Sequence, residues 1–378
     1  MAEVTDEERE MLVDSARAWV RQRAPVKLVR DARTDHAAKG YDPAIFKEIS
    51  EMGWTGMIVP EAFGGHDMGL ECMGLLVEEL GRNLTPSPLV ASAVAAVSAL
   101  VLGGTDQQKR RWLPPLAAGE LVGTLAIEHG RGFDLNHPAV SAIRVDGQWV
   151  LKGCSQPVEA GMAADLIVVL ARSGTESSGG SVLAFLCPSN TPGVGRIPLD
   201  GIDARGRAAV VFDNVQLSDD NVLGSVGSGS TLAGEILDRT AAIAAAEMLG
   251  GALQAFETTM DYLRTRVQFG KPIGSFQALQ HRAADMLGEI GLARAAVYEA
   301  LRALDSGDDH AALLASVAKI VAGKVFHKVA REMIQMHGGI GMTEEHDAGL
   351  YFKRAHTADI FCGNIAFHRE RVARLIGI

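Results

Sequence analysis

The segment Arg266-Val-Gln-Phe-Gly-Lys-Pro-Ile-Gly-Ser-Phe-Gln277 forces the chain to turn between two long helical stretches. Gly270, Pro272 and Gly274 set three backbone breakers within a few residues, a strong turn signal. Upstream, residues 231–266 read as one helix ending on a basic residue. Downstream, a new helix starts near Ser275 and runs over 276–305. Further helices are predicted over 309–337 and 345–373, with breaks at Gly307 and Gly338–Gly341. Four long helices with short connections make an up-down bundle.

Further upstream the pattern changes. Val140 to Leu151 alternates apolar and polar residues around Asp146-Gly147, which predicts a hairpin. Leu166–Leu170, Val182–Leu186 and Val210–Val215 are short β-type runs, and Gly174 to Gly180 reads as a flexible connection. Strands at this spacing predict a small antiparallel barrel or sandwich. The first third is helical again. Thr5 and Glu8 have capping-box spacing, and Asp42-Pro43 pairs an N-cap with Pro at the first helical position before Gly53 closes the helix. A helix follows Gly64-Gly65 to about Leu80, and Ser87–Leu102 is apolar nearly all round, as in a buried helix. Thr105 opens another helix, which Pro114-Pro115 should stop. The chain therefore divides into a helical segment 1–120, a β-segment 121–224 and a helical bundle 225–378.

Composition narrows the function. The 378 residues carry 36 Lys plus Arg against 46 Asp plus Glu, a formal charge of −10, which disfavours nucleic acid and anionic membranes as partners. The most apolar stretch, Val90 to Leu102, falls short of the roughly 20 residues a membrane span needs. The N-terminal MAEVTDEEREM lacks the apolar core of a secretory signal. Cys72, Cys154, Cys187 and Cys362 form no CxxC or Cys/His cluster, so neither a disulfide framework nor a metal site is expected. A cytoplasmic protein is the resulting expectation. The 42 glycines fit loops, phosphate cradles or close helix packing.

A second segment, Gln335-Met-His-Gly-Gly-Ile-Gly341, sets glycines directly after a predicted helix, where backbone can approach an anionic ligand. Together the two segments resemble the acyl-CoA dehydrogenase family, and supporting segments follow in order along nearly the whole chain. They are Glu51-Met-Gly-Trp54, Val59-Pro-Glu-Ala-Phe-Gly-Gly65, Glu78-Glu-Leu-Gly-Arg82, Gly104-Thr-Asp-Gln-Gln-Lys109, Trp112-Leu-Pro114, Phe212-Asp-Asn-Val215 and Val222-Leu-Gly224. The resemblance implies a mainly α fold: an N-terminal helical domain, a middle β-barrel or sandwich and a C-terminal four-helix bundle. It implies FAD, an acyl-CoA substrate, and a homo-dimer, homo-tetramer or hetero-oligomer with a paralogous subunit. It assigns Arg266, Phe269, Gln277, Gln335, Gly338 and Gly339 to the adenosine and pyrophosphate of a neighbouring subunit's FAD.

The resemblance also implies α,β-dehydrogenation of an acyl thioester, with a Glu taking the α-proton. That Glu stands at one of two places in the family. Here the first is Cys362, in Phe361-Cys-Gly-Asn364, and the second is Thr240, followed by Ala241 where the family has Arg. Glu235, Asp238 and Glu247 share the predicted helix with Thr240. Two flavin-side segments differ as well. Ile127-Glu128-His129 replaces Thr-Glu-Pro, and Pro157-Val158-Glu159 replaces Trp-x-Thr. Three readings stay open: a Glu-lacking subunit of a hetero-oligomer acting on bulky acyl-CoA such as a steroid side chain, a self-sufficient homo-oligomer with a non-standard base, and a catalytically silent structural or binding homologue. A flavin oxidase of this fold that needs Asp at the base position is argued against by Cys362.

Overall fold

The computed structural model describes residues 4–34, 39–128, 133–174, 181–225 and 227–378. Along the chain run α1 (Asp6–Arg23), α2 (Lys27–Thr34), α3 (Pro43–Glu51), α4 (Gly69–Arg82), a π-helical stretch Val90–Ala96 leading into α5 (Val97–Gly103), and α6 (Asp106–Ala117). Strands β1 (Gly123–Ala126), β2 (Val140–Val145), β3 (Gln148–Val158), β4 (Leu166–Ser173), β5 (Val182–Pro188), β6 (Val194–Pro198), β7 (Ala208–Leu217) and β8 (Val222–Leu223) follow. Then come α7 (Gly229–Thr265), the ribbon β9 (Val267–Gln268) and β10 (Lys271–Pro272), α8 (Gln277–Ser306), α9 (Ala311–His337), α10 (Ala348–Ile360) and α11 (Ile365–Leu375). The mainly helical fold with a central β-sheet is the one expected.

The chain forms two compact units. One comprises Arg30–Gly69 and Pro86–Thr240; the other comprises Val4–Val29, Leu70–Thr85 and Ala241–Ile378.

In the first unit, Asp42 accepts from Ala44 N at 2.8 Å and caps α3, whose first residue is Pro43. Thr105 and Gln108 form a reciprocal capping box at α6. α6 does not stop at Pro114-Pro115, as the sequence led one to expect. It runs one turn further, because Leu113, Leu116 and Ala117 are buried, Ala118 N donates to Pro114 O at 2.9 Å, and Thr55 Oγ1 donates to Ala117 O at 2.6 Å. Packing here outweighs the two missing amide donors.

The strands hydrogen-bond in the order β6-β7-β3-β2-β4-β5-β8, with β1 beside β4. The β2–β3 hairpin forms as predicted, pairing Val145 with Gln148; Asp146 (φ 51°) and Gly147 (φ 82°) both take the left-handed conformation that a tight two-residue turn requires. The sheet is mixed rather than antiparallel. β1 and β2 lie end to end along one edge of β4, both parallel to it, pairing Gly123–Ala126 with Leu166–Val169 and Val140–Ala142 with Ala171–Ser173. β1 arrives from a helix, so no hairpin fixes its direction. Val140, Leu151, Ile167, Val169, Phe185, Val210 and Phe212 form the core of this unit. Of the predicted connection Gly174–Gly180, residues 175–180 lie outside the described residues.

In the second unit, the Thr5–Glu8 capping box opens α1 as expected. α4 and α7 cross at backbone contact. A Cβ on Gly250 would lie 1.9 Å from Glu78 O, and one on Gly81 2.3 Å from Glu247 O. Alanines 244–246 of α7 are all buried, as is Ala252. Small side chains here serve close packing. Arg354 Nη1 reaches Glu247 Oε1 at 3.0 Å, and Nη2 donates to Leu84 O at 3.1 Å. α9 packs against α8, α10 and α11. The predicted helix over 345–373 is two helices, α10 and α11, broken at Phe361–Asn364. Gly363 takes φ 89°, and Asn364 Oδ1 accepts from Phe367 N at 2.9 Å as the N-cap of α11.

Candidate cofactor-binding and catalytic positions

The turn between α7 and α8 is a two-residue β-ribbon corner. Val267 pairs with Pro272 and Gln268 with Lys271, leaving Phe269 (φ 52°) and Gly270 (φ 76°) at its tip, both left-handed. For Phe this conformation costs roughly 1–2 kcal/mol. The ring is nonetheless 90% exposed, touching Phe276 edge-on at 6.0 Å between centroids. A strained, solvent-facing aromatic ring gains from a ligand or partner that covers it. Arg266 and Gln277 flank the corner and are exposed, and the Arg266 guanidinium makes no ion pair with the described residues.

α9 ends at His337, and Gly338 adopts φ 64°, ψ −137°, a backbone state restricted in practice to glycine. Gly339 differs. It needs no left-handed backbone, and a Cβ there would meet nothing within 4 Å. Neither the chain's conformation nor its packing requires glycine at 339, so an unobstructed approach from outside is what its missing side chain leaves. Gln335, Gly338 and Gly339 are exposed.

The structure brings these two segments together through Tyr262. Its ring stacks on His337 at 4.3 Å between centroids, its hydroxyl donates to His337 O at 3.3 Å, and its carbonyl accepts from Arg266 N at 2.8 Å. Tyr262 escaped the sequence reading; its place one helical turn before Arg266 was the available signal. His337 donates from Nδ1 to Met333 O at 2.7 Å and packs on His346 at 4.3 Å. Burial holds it below the ordinary imidazole range.

Cys362 lies in the break between α10 and α11, 3% exposed, with φ 58°. Three side chains fix this corner, Lys319 and His368 buried and Asp359 half-buried. Lys319, fully buried, donates from Nζ to Ala358 O at 2.9 Å and Asp359 O at 3.0 Å, placing a cation on the α10 C-terminus. Asp359 Oδ1 accepts from Ile365 N at 3.1 Å. His368, also fully buried, bonds through Nε2 to Cys362 O at 2.9 Å. A carbonyl only accepts, so Nε2 carries the proton, and Nδ1 makes no hydrogen bond. Burial, aided by Lys319, pushes His368 down to about 3, so the ring is neutral. Thr240 is fully buried too, and its hydroxyl donates to Ile236 O at 2.7 Å, one turn back in α7. Asp238 is buried, Glu235 is exposed and Glu247 is paired with Arg354.

In the other unit, Ile127 is buried at the end of β1, and His129 lies outside the described residues. Glu159 accepts from Arg205 Nη1 at 3.2 Å and Arg207 Nε at 2.7 Å. Cys72 and Cys187 are buried and Cys154 half-buried, with burial raising all three thiols. Among the described residues no cluster of three or more His, Cys, Asp or Glu could hold a metal ion, and no helix is long and apolar enough to cross a membrane.

Residues 6–120 match the acyl-CoA dehydrogenase N-terminal domain and residues 227–377 the acyl-CoA dehydrogenase C-terminal domain. The chain is 31% identical over 372 residues to acyl-CoA dehydrogenase IpdE2 of Mycolicibacterium smegmatis, covering 98% of each chain. It belongs to the acyl-CoA dehydrogenase family. Among solved structures, butyryl-CoA dehydrogenase of Megasphaera elsdenii superposes with TM-score 0.88 at 26% identity, over 100% of this chain and 99% of that one. The Tcur3481–Tcur3483 steroid ACAD superposes with TM-score 0.87 at 28% identity, over 98% of each chain. Acyl-CoA dehydrogenase family members are FAD-dependent flavoprotein oxidoreductases, and this chain is one of them by descent and fold.

Proposed function

We propose that this chain is the glutamate-lacking subunit of a hetero-oligomeric acyl-CoA dehydrogenase, working in the cytoplasm on a bulky acyl-CoA. The observation that carries the reading is chemical. At neither base position does the chain present a carboxylate: residue 362 is a buried thiol, and the Thr240 hydroxyl is spent on Ile236 O. A thiol accepts a proton only as thiolate, a charged form that burial disfavours. A paralogous subunit then supplies the Glu. The segments 1–120, 121–224 and 225–378 are taken as its three functional parts.

The adenosine half of FAD fits the residues offered by the bundle. An unpaired exposed guanidinium at Arg266 suits a pyrophosphate, Phe269 offers an uncovered apolar face, Gln277 and Gln335 offer amides, and Gly338–Gly339 leaves backbone approachable. When bound, FAD supplies the hydride acceptor. What this chain's residues contribute is binding and orientation of that adenosine half, in the neighbouring subunit's site. The exposed Val267, Phe269, Ile340 and Met342 around these segments fit a surface that a second subunit covers. A steroid-sized substrate is supported by the likeness to the steroid ACAD.

The test is co-expression with a Glu-bearing paralogue. Yellow protein-bound flavin and turnover of a bulky CoA thioester are expected in the pair, with no turnover by this chain alone. Full turnover by the chain alone would overturn the reading.

A further inference from the structure

We infer that the first unit carries a binding site for a small organic ammonium, a primary amine with an apolar body, which the cofactor reading does not use. The site is a cavity of about 620 Å³ lined from α3 and the residues just before it, from the turn 118–122 that leads into β1, and from the start of β4. That size suits a small molecule. All the lining residues belong to the one unit. Pro43, Phe46 and Val122 supply apolar wall. Gly119, at φ 67°, lets the turn close against α3, since a Cβ there would lie 2.5 Å from Ser50 Oγ.

Two fixed polar groups are left unsatisfied in this cavity. Tyr41 is only 5% exposed, its ring held edge-on by Phe46 at 5.7 Å between centroids. Its hydroxyl has no hydrogen-bond partner among the described residues, yet it is not sealed in, so it opens on the cavity that Tyr41 lines. A phenol buried without a partner costs free energy that a ligand recovers. Burial, and then the charge of Asp165, pushes it up to about 12, so it stays neutral. Asp165 Oδ2 accepts from Val122 N at 2.9 Å, and Asp165 N donates to Val122 O at 2.7 Å, which pins the carboxylate. Its Oδ1 engages no described residue. Two lysines stand against three carboxylates in the lining, and Lys47 is paired with Glu51 at 3.6 Å. Asp165 and Glu120 therefore share one remaining cation, Lys39, and a negative charge is left over. An ammonium donates to Asp165 Oδ1 and to the Tyr41 oxygen at once and neutralises that excess. An alcohol satisfies both groups but leaves the charge, and a carboxylate ligand adds to it.

Three probes of similar shape and different charge separate these cases: 2-phenylethylamine, 2-phenylethanol and 3-phenylpropanoate. Each is titrated calorimetrically into the purified full-length chain. The amine should saturate at one per chain and bind about tenfold or more tighter than the alcohol, with no binding of the carboxylate. Asp165→Asn keeps an acceptor for Val122 N and removes the charge. It should weaken the amine about tenfold and leave the alcohol nearly unchanged. Tyr41→Phe keeps the ring against Phe46 and should weaken amine and alcohol alike, by about threefold or more. Melting curves show whether each variant is folded, and the amine-to-alcohol ratio in the unaltered chain tests the inference without any variant. No saturable amine binding, an alcohol that binds as tightly as the amine, or undiminished amine binding in folded D165N would overturn it. None of these outcomes bears on the flavin site, so the cofactor reading stands or falls separately.

Discussion

His368 shows how one side chain ties stability to the corner that carries residue 362. Its folded pKa of about 3 lies below the ordinary imidazole value, so the native state binds fewer protons than the unfolded chain. Stability should therefore be unaffected by this group above about pH 6.5 and fall as pH drops from there toward 3, by up to about 1.4 kcal/mol per pH unit. His337 and His356 shift in the same direction and steepen the fall. His368→Gln keeps an N–H near Cys362 O but cannot titrate. Urea melts at pH 7, 6 and 5 should show a shallower acid loss in this variant than in the parent. Equal slopes would mean that His368 does not govern the acid limb.

At the scale of elements, the decisive feature is the interruption between α10 and α11. Asn364→Ala removes the N-cap acceptor of Phe367 N and should cost about 1 kcal/mol. Gly363→Ala should cost more, because φ 89° strains any L-residue and its Cβ would lie 2.4 Å from the Phe367 ring. Both are measurable as shifts in denaturant midpoint at unchanged m. The glycines of α7 separate in the same way. Gly250→Ala drives a methyl into Glu78 O and should cost at least about 2 kcal/mol, whereas Gly234→Ala meets nothing and should gain up to about 1 kcal/mol. The sequence revealed the long helices, the hairpin at Asp146-Gly147 and the caps at Thr5, Asp42 and Thr105, because each rests on local chemistry. It hid three things whose cause is distant in the chain. These are the parallel seating of β1 and β2 on β4, the run of α6 through two prolines, and the Tyr262–His337 stack. The α10–α11 break was legible in Gly363-Asn364 but masked by the helical pattern on either side.

On the whole-molecule scale, the proposed function has the chain supply the adenosine-side half of a flavin site without supplying the base. Arg266, Phe269 and Gly339 are exposed, and neither Thr240 nor Cys362 presents a carboxylate. The proposed reading assigns this condition to chemistry shared between two different subunits. The most direct measurement is anaerobic bleaching of bound flavin by a bulky acyl-CoA in the purified pair, with one substitution at a time. Cys362→Ala in this chain should leave the bleaching rate within about twofold, and Glu→Gln at the partner's base position should abolish it. A large loss with Cys362→Ala, or retained bleaching after the partner's Glu is removed, would contradict a base supplied from the other subunit.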